Sequence, residues 1–214
     1  NRFADTDEKN PDYNTVDASL WFIHAVGKYL EYTGDLETVR NLWSTIEEII
    51  HYYIQGTSFN IQMDDDGLIK HDGQLTWMDA KVGDIEVTPR RGKICEINAL
   101  WYNALKTASS IAEKLKIQHE KYDKTAEMVK SSFIDTFWNE NEICLFDCIN
   151  IEDDGTINKD SSIRPNQIFA VSLPYTMLPS DKEKMIVNKV EERLLTPRGL
   201  RTLSPDDEKY RNRY

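Results

Sequence analysis

The feature that most limits the fold is a plan that occurs three times along the chain. A segment of helical period is followed by a tight link, a second helical segment and a long polar excursion. The first pair of helices is expected over residues 16–32 and 36–55. Leu20, Ile23, Val26 and Leu30 recur at three or four in one, and Leu42, Ile46, Ile49, Ile50 and Tyr53 line the other. Gly34 suits a left-handed helix end and Asp35 an N-cap, so a two-residue link joins two antiparallel neighbours. The second pair is expected over 93–115 and 119–138, and the third over 165–173 and 181–195, with Pro165 in a first helical position and Ser180 as a cap. Helical hairpins repeated in this way build a solenoid or a closed toroid, with every excursion emerging at one end beside the starts of the first helices. Inside the excursions, a hairpin is expected around Asp64-Asp-Asp-Gly67 and a strand over 143–151. The expected fold is therefore all-α: an α/α toroid of the six-hairpin barrel type, here a partial barrel of about six helices with short β-hairpin excursions, in a single domain over residues 1–214. Residues 1–14 are polar, with a turn expected at Asn10-Pro11-Asp12. The chain starts at Asn1 and stops in a charged run, which reads as a piece of a longer protein.

The net charge of −11 argues against nucleic acid and anionic membranes as partners. No apolar run approaches the length of a membrane span. Cys95, Cys144 and Cys148 are an odd number without a disulfide pattern, which suits reduced thiols in a cytoplasmic protein. Cys144 and Cys148 have no histidine or third cysteine near them, and His24, His51, His71 and His119 show no ligand spacing. Asp64-Asp-Asp lacks the twelve-residue calcium pattern and reads as a solvated turn. No metal or other cofactor is expected.

The gathered end would bring together Asp17, Trp21, Trp77, Asp79, Arg90, Glu96, Asn98, Arg164, Asn166 and Gln167. Carboxylates, amides and guanidinium groups bond hydroxyls, and tryptophan offers a flat face to the C–H side of a sugar ring. That is equipment for a neutral polyhydroxylated ligand. Asp17 and Glu96 also fit as first-turn acids meeting a helix dipole, and Trp21 and Trp101 also fit as core. Asp79 differs: it follows Trp77-Met78 inside a loop and has no helix start to cap.

Four motifs carry a resemblance. They are the segments starting Tyr13-Asn-Thr-Val-Asp17-Ala-Ser-Leu-Trp21, Leu75-Thr-Trp-Met-Asp79-Ala, Thr88-Pro-Arg90-Arg-Gly-Lys-Ile-Cys-Glu96-Ile-Asn98 and Ser162-Ile-Arg164-Pro-Asn-Gln-Ile-Phe-Ala. Together with Gly199-Leu-Arg-Thr-Leu-Ser204, they resemble the C-terminal amylo-α-1,6-glucosidase part of glycogen debranching enzymes over nearly the whole chain. The resemblance implies a glucoamylase-like toroid that hydrolyses the α-1,6-linked glucose left at a branch point of glycogen or maltodextrin, inverting the anomeric centre. It implies Asp79 as the general acid and places the general base outside this chain, so that the 214 residues alone are expected to be inactive and to pack against the rest of their parent. Two alternatives stand beside it. One is another toroid glycosidase, related to glucoamylase or trehalase; the other is a non-catalytic, glucan-binding helical repeat.

Overall fold

The computed structural model describes residues 14–152 and 154–212, and the turn expected at Asn10-Pro11-Asp12 lies outside them. Helices α1 (Ala18–Thr33) and α2 (Leu36–Gln55) form the first hairpin. Gly34 takes φ 68°, which a residue with a Cβ adopts only with strain, and its N–H closes on the Leu30 carbonyl at 2.9 Å. Asp35 then accepts from the Thr38 N–H at 3.0 Å. The two-residue link is the one read from the sequence.

After α2 come β1 (Gln62–Met63) and β2 (Ile69–His71), antiparallel across the Asp-Asp-Asp-Gly turn. The side hairpin of β3 (Lys81–Val82) and β4 (Ile85–Glu86) follows, then β5 (Gly92–Ile94), which runs straight into α3 (Cys95–Leu115). α4 (Glu120–Phe137) is followed by the hairpin of β6 (Trp138–Asn139) and β7 (Cys144–Leu145), then β8 (Cys148–Ile151) and β9 (Ile157–Asp160). A 3-10 turn over Pro165–Ile168 leads into α5 (Phe169–Ser172). α6 (Ser180–Leu194) and the hairpin of β10 (Leu195–Thr196) and β11 (Gly199–Leu200) come last.

The all-α expectation is wrong. The first two excursions meet in one five-stranded antiparallel sheet, in the order β1-β2-β5-β8-β9. Its central pairing sets Lys93 opposite Ile149 and Ile94 opposite Cys148. The physical reason is the demand of buried backbone. Loops folded over helix starts carry N–H and C=O groups that need partners, and two loops lying side by side satisfy each other. Gly92 sits where β5 crosses closest to β8. A Cβ there would lie 2.3 Å from the Ile149 carbonyl oxygen, and φ is +81°. The helix expected from residue 93 therefore starts at Cys95, because residues 92–94 are strand. The fifth helix is also shorter than expected: Pro165–Ile168 winds as a 3-10 turn and only four residues are α-helical. The strand expected over 143–151 is two short ones, β7 and β8.

α3 is the axis of the molecule. It packs on α1, α2, α4 and α5 and is buried on nearly every side. Trp101, fully buried, stacks on Tyr53 and donates its indole N–H to the Gly67 carbonyl at 3.1 Å. It is core rather than a ligand platform. Asn98 clamps the sheet to this axis: its Oδ1 accepts from the Ile69 N–H (2.6 Å), and its Nδ2 donates to the Ile69 and Ile94 carbonyls (3.0 Å each). Lys93, nearly buried, ties down the acidic turn through Asp66 (2.6 Å) and Asp64 (3.0 Å). Among the described residues no helix is long and apolar enough to cross a membrane.

Candidate active site

Where α1, the 75–80 loop, the start of α3, the 3-10 turn and the 200–202 segment converge, they enclose a cleft of about 570 Å³. Asp17, Trp21, Trp77, Glu96 and Asn166, all singled out in the sequence, line it together with Leu100, Phe169 and Thr202. Trp21 is half-buried and meets Phe169 edge to face, with ring centres 5.4 Å apart. Asp17 precedes α1 but caps nothing; its carboxylate accepts from the Thr15 hydroxyl at 2.7 Å.

From Glu96 at the cleft floor a buried ionic cluster runs inward. The Arg90 guanidinium spans two carboxylates. Its Nη1 and Nη2 donate to the two oxygens of Glu96, each at 2.6 Å. Its Nε and Nη2 donate to the two oxygens of Asp147, at 2.6 and 2.9 Å. All three side chains are at most 2 % exposed. Arg164 stands 3.4 Å from the same Asp147 carboxylate and donates to the Thr202 carbonyl. Burial opposes the charge on Arg90, but Glu96 and Asp147 outweigh it and hold its pKa above the usual arginine range. Burial pushes the Asp147 carboxyl up, against the pull of Arg90. Such fork-to-fork pairing fixes geometry as well as charge.

Asn166 links the cluster to the cleft. Its Nδ2 donates to Asp147 at 3.1 Å, and its Oδ1 accepts from the Trp77 indole N–H at 3.0 Å. Gln167 accepts from the Leu145 N–H and donates to the Arg164 carbonyl, so both of its amide atoms serve backbone. Asp79 is half-buried, two residues beyond Trp77 on the same loop, and is not part of the lining of the cleft. Cys95, Glu96 and Asp147 lie close enough together for a metal, but the Arg90 guanidinium engages both acids, and burial keeps the Cys95 thiol protonated.

Asp147 is the residue that the sequence did not single out. Its signal was there: one carboxylate inside the apolar run Cys144-Leu-Phe-Asp-Cys-Ile149. His71 is a second one. It is 3 % exposed, its Nδ1 faces the Asp72 carbonyl at 2.5 Å, and its Nε2 has no hydrogen-bond partner among the described residues. Burial lowers its pKa to about 4; Arg90 pushes the same way, while the Asp72 carbonyl and the Asp72 and Asp17 charges oppose. An unfolded histidine titrates near 6.5, so below that pH the unfolded chain binds a proton that the folded chain refuses. Stability from His71 is complete above pH 6.5 and is lost as pH falls toward 4. Between pH 7 and pH 4, the parent is expected to lose about 2–3 kcal/mol more than His71→Leu. Urea unfolding at both pH values measures this, and equal losses would show that His71 is not buried in its neutral form.

The chain is a domain related to glycoside hydrolases. The chain belongs to the amylo-alpha-1,6-glucosidase family, whose model matches residues 1–214. No curated protein matches the chain. Among solved structures it is similar to a GH78 family rhamnosidase of Bacillus sp. GL1, with 16 % identity and a TM-score of 0.67 over 88 % of this chain and 18 % of that one. It is also similar to a rhamnosidase from Klebsiella oxytoca with rhamnose bound, with 16 % identity and a TM-score of 0.60 over 89 % of this chain and 33 % of that one. The chain thus spans a third or less of the length of either. Both likenesses are to rhamnosidases and, with the five-stranded sheet, they count against the all-α toroid.

Proposed function

We propose that this chain supplies part of the glucan cleft of a debranching-type glycosidase, which hydrolyses α-1,6-linked glucose at branch points with inversion. The cleft itself carries the reading: two tryptophans and a phenylalanine wall a space that also receives the Asp17 and Glu96 carboxylates. Its volume falls within the range of small-molecule sites. Trp21 and Trp77 would cover the apolar faces of the sugar, and Asp17 and Glu96 would accept from its hydroxyls. Arg90, Asn98, Arg164, Asn166 and Gln167 would hold these groups in place from behind, since the structure engages each of them with protein atoms. Asp79 would protonate the leaving oxygen. A carboxylate from elsewhere in the longer protein would activate water on the opposite face, as inverting enzymes require. The isolated 214 residues are then expected to bind glucan without cleaving it.

The test uses the full-length protein that carries this chain, offered a branched limit dextrin, linear maltodextrin, trehalose and an aryl α-rhamnoside. Glucose release from the branch stub alone is expected. Release of rhamnose, cleavage only of linear maltodextrin or trehalose, or glucan retention without any hydrolysis would overturn the reading. Trp21→Ala should raise KM about five- to tenfold with kcat little changed, since it removes binding that ground state and transition state share.

A further inference from the structure

Asp147 lies one layer behind the cleft and is not part of its lining, yet a continuous line of hydrogen bonds joins it to the cleft wall. Trp77 is 51 % exposed, and it is the exposed aromatic of the loop that carries Asp79. A half-exposed indole on a loop would ordinarily sample several orientations. Here its N–H is held by Asn166 Oδ1 at 3.0 Å, and Asn166 is 1 % exposed. An asparagine amide can sit either way round, with oxygen and nitrogen exchanged. Its orientation is fixed by what faces the other end. That partner is Asp147 Oδ1, 3.1 Å from Asn166 Nδ2, and both oxygens of this carboxyl group already accept from the Arg90 guanidinium, so it faces Asn166 as an acceptor. The nitrogen must therefore point to Asp147, which leaves the oxygen for Trp77. Met78 Sδ, 3.3 Å from the same nitrogen, is a weak acceptor and favours the same orientation. Asp147 is in turn immobilised by both edges of its contact with Arg90.

We propose that Asp147 is a positioning residue of the cleft, setting the face that Trp77 presents to the sugar by dictating the orientation of the Asn166 amide. The inference rests on the reading of the cleft as a glucan site. It adds that the orientation of the indole is determined by a buried charge rather than by packing of the loop, so specificity at this wall depends on a residue remote from the ligand.

The experiment is a set of cycles in the full-length protein, with KM and kcat read on a branched limit dextrin. Trp77→Ala removes the wall. Trp77→Phe keeps a ring but removes the N–H. Asp147→Asn removes the dictating charge, and Asn166→Leu cuts the link while leaving both Arg90 ion pairs intact, so it stands in if Asp147→Asn fails to fold. Trp77→Phe, Asp147→Asn and Asn166→Leu should each raise KM about fivefold, the effect of one lost hydrogen bond. In the Trp77→Phe background, the other two should add nothing, because the group they act on is gone. If Trp77→Ala raises KM but Asn166→Leu does not, the positioning role is overturned and the cleft reading survives. Effects that multiply in the Trp77→Phe background would make Asp147 merely structural and overturn the role equally. If Trp77→Ala leaves KM unchanged, the glucan wall itself fails and the inference falls with it.

Discussion

Arg90→Met is expected to destabilise the fold by about 3–5 kcal/mol, the cost of leaving buried charge without its partner. The methionine has nearly the reach of the arginine stem, so the loss is not mainly one of packing. What changes is that Glu96 and Asp147, each at most 2 % exposed, face one another with Arg164 alone in reach of Asp147 at 3.4 Å. Urea unfolding followed by tryptophan fluorescence should show a much lower midpoint. Two controls give the number its meaning. Arg91→Met, one residue on, removes an exposed arginine whose pair with Glu86 is open to solvent, and should cost under about 1 kcal/mol. Adding Glu96→Gln and Asp147→Asn to Arg90→Met should recover much of the loss, because a cluster without any charge has none left unpaired. If Arg90→Met is no worse than Arg91→Met, the cluster does not hold the site together.

Arg90 and Arg91 also show where the sequence stops being legible. They are adjacent, identical in chemistry and opposite in fate: one is buried between two acids and the other exposed. Nothing local separates them, because the choice is made by Asp147, 57 positions further along. The helices were legible because their information is local. α1, α2, α3, α4 and α6 begin and end within two residues of where apolar spacing and the Gly34-Asp35 link put them, although Ser180 opens α6 rather than capping it, the cap position being held by Pro179. The sheet was not. Its strands are two to four residues long, too short for an alternating pattern to register. Its key pairing, Lys93 with Ile149, joins segments on either side of two helices. The all-α reading followed from counting only elements long enough to have a period. In the site, the aromatic and acidic starts of the helices were legible as a group because hairpin topology gathers them. Which of them face the cleft and which brace it was not, since that is set by what lies opposite each in space: the Ile69 backbone for Asn98, Asn166 and the cleft for Trp77.

Asp79→Asn, in the full-length protein, is expected to lower kcat on the α-1,6 branch stub by about 10²–10⁴, the usual worth of a positioned general acid. Three things support the assignment. Asp79 sits on the loop whose Trp77 forms a wall of the cleft, it is half-buried, and the resemblance of Leu75-Thr-Trp-Met-Asp79-Ala to debranching enzymes implies it as the acid. The amide keeps the size and shape of the carboxyl group, so KM should stay within a few-fold and glucan should still be retained. It can donate a hydrogen bond to the departing oxygen but cannot give up a proton to it. A leaving group that needs no proton separates the possibilities. On α-glucosyl fluoride the loss should shrink to about tenfold or less, because fluoride departs without protonation while the rest of the cleft is unchanged. Equal loss on both substrates would move Asp79 from acid to base or to structure, since either role is needed whatever leaves. A variant that releases glucose from the branch stub within a few-fold of the parent rate would remove Asp79 from the chemistry. The acid would then have to be sought at Asp17 or Glu96, the two carboxylates that do line the cleft. Glu96 is the weaker of these, because both of its oxygens are already engaged by Arg90.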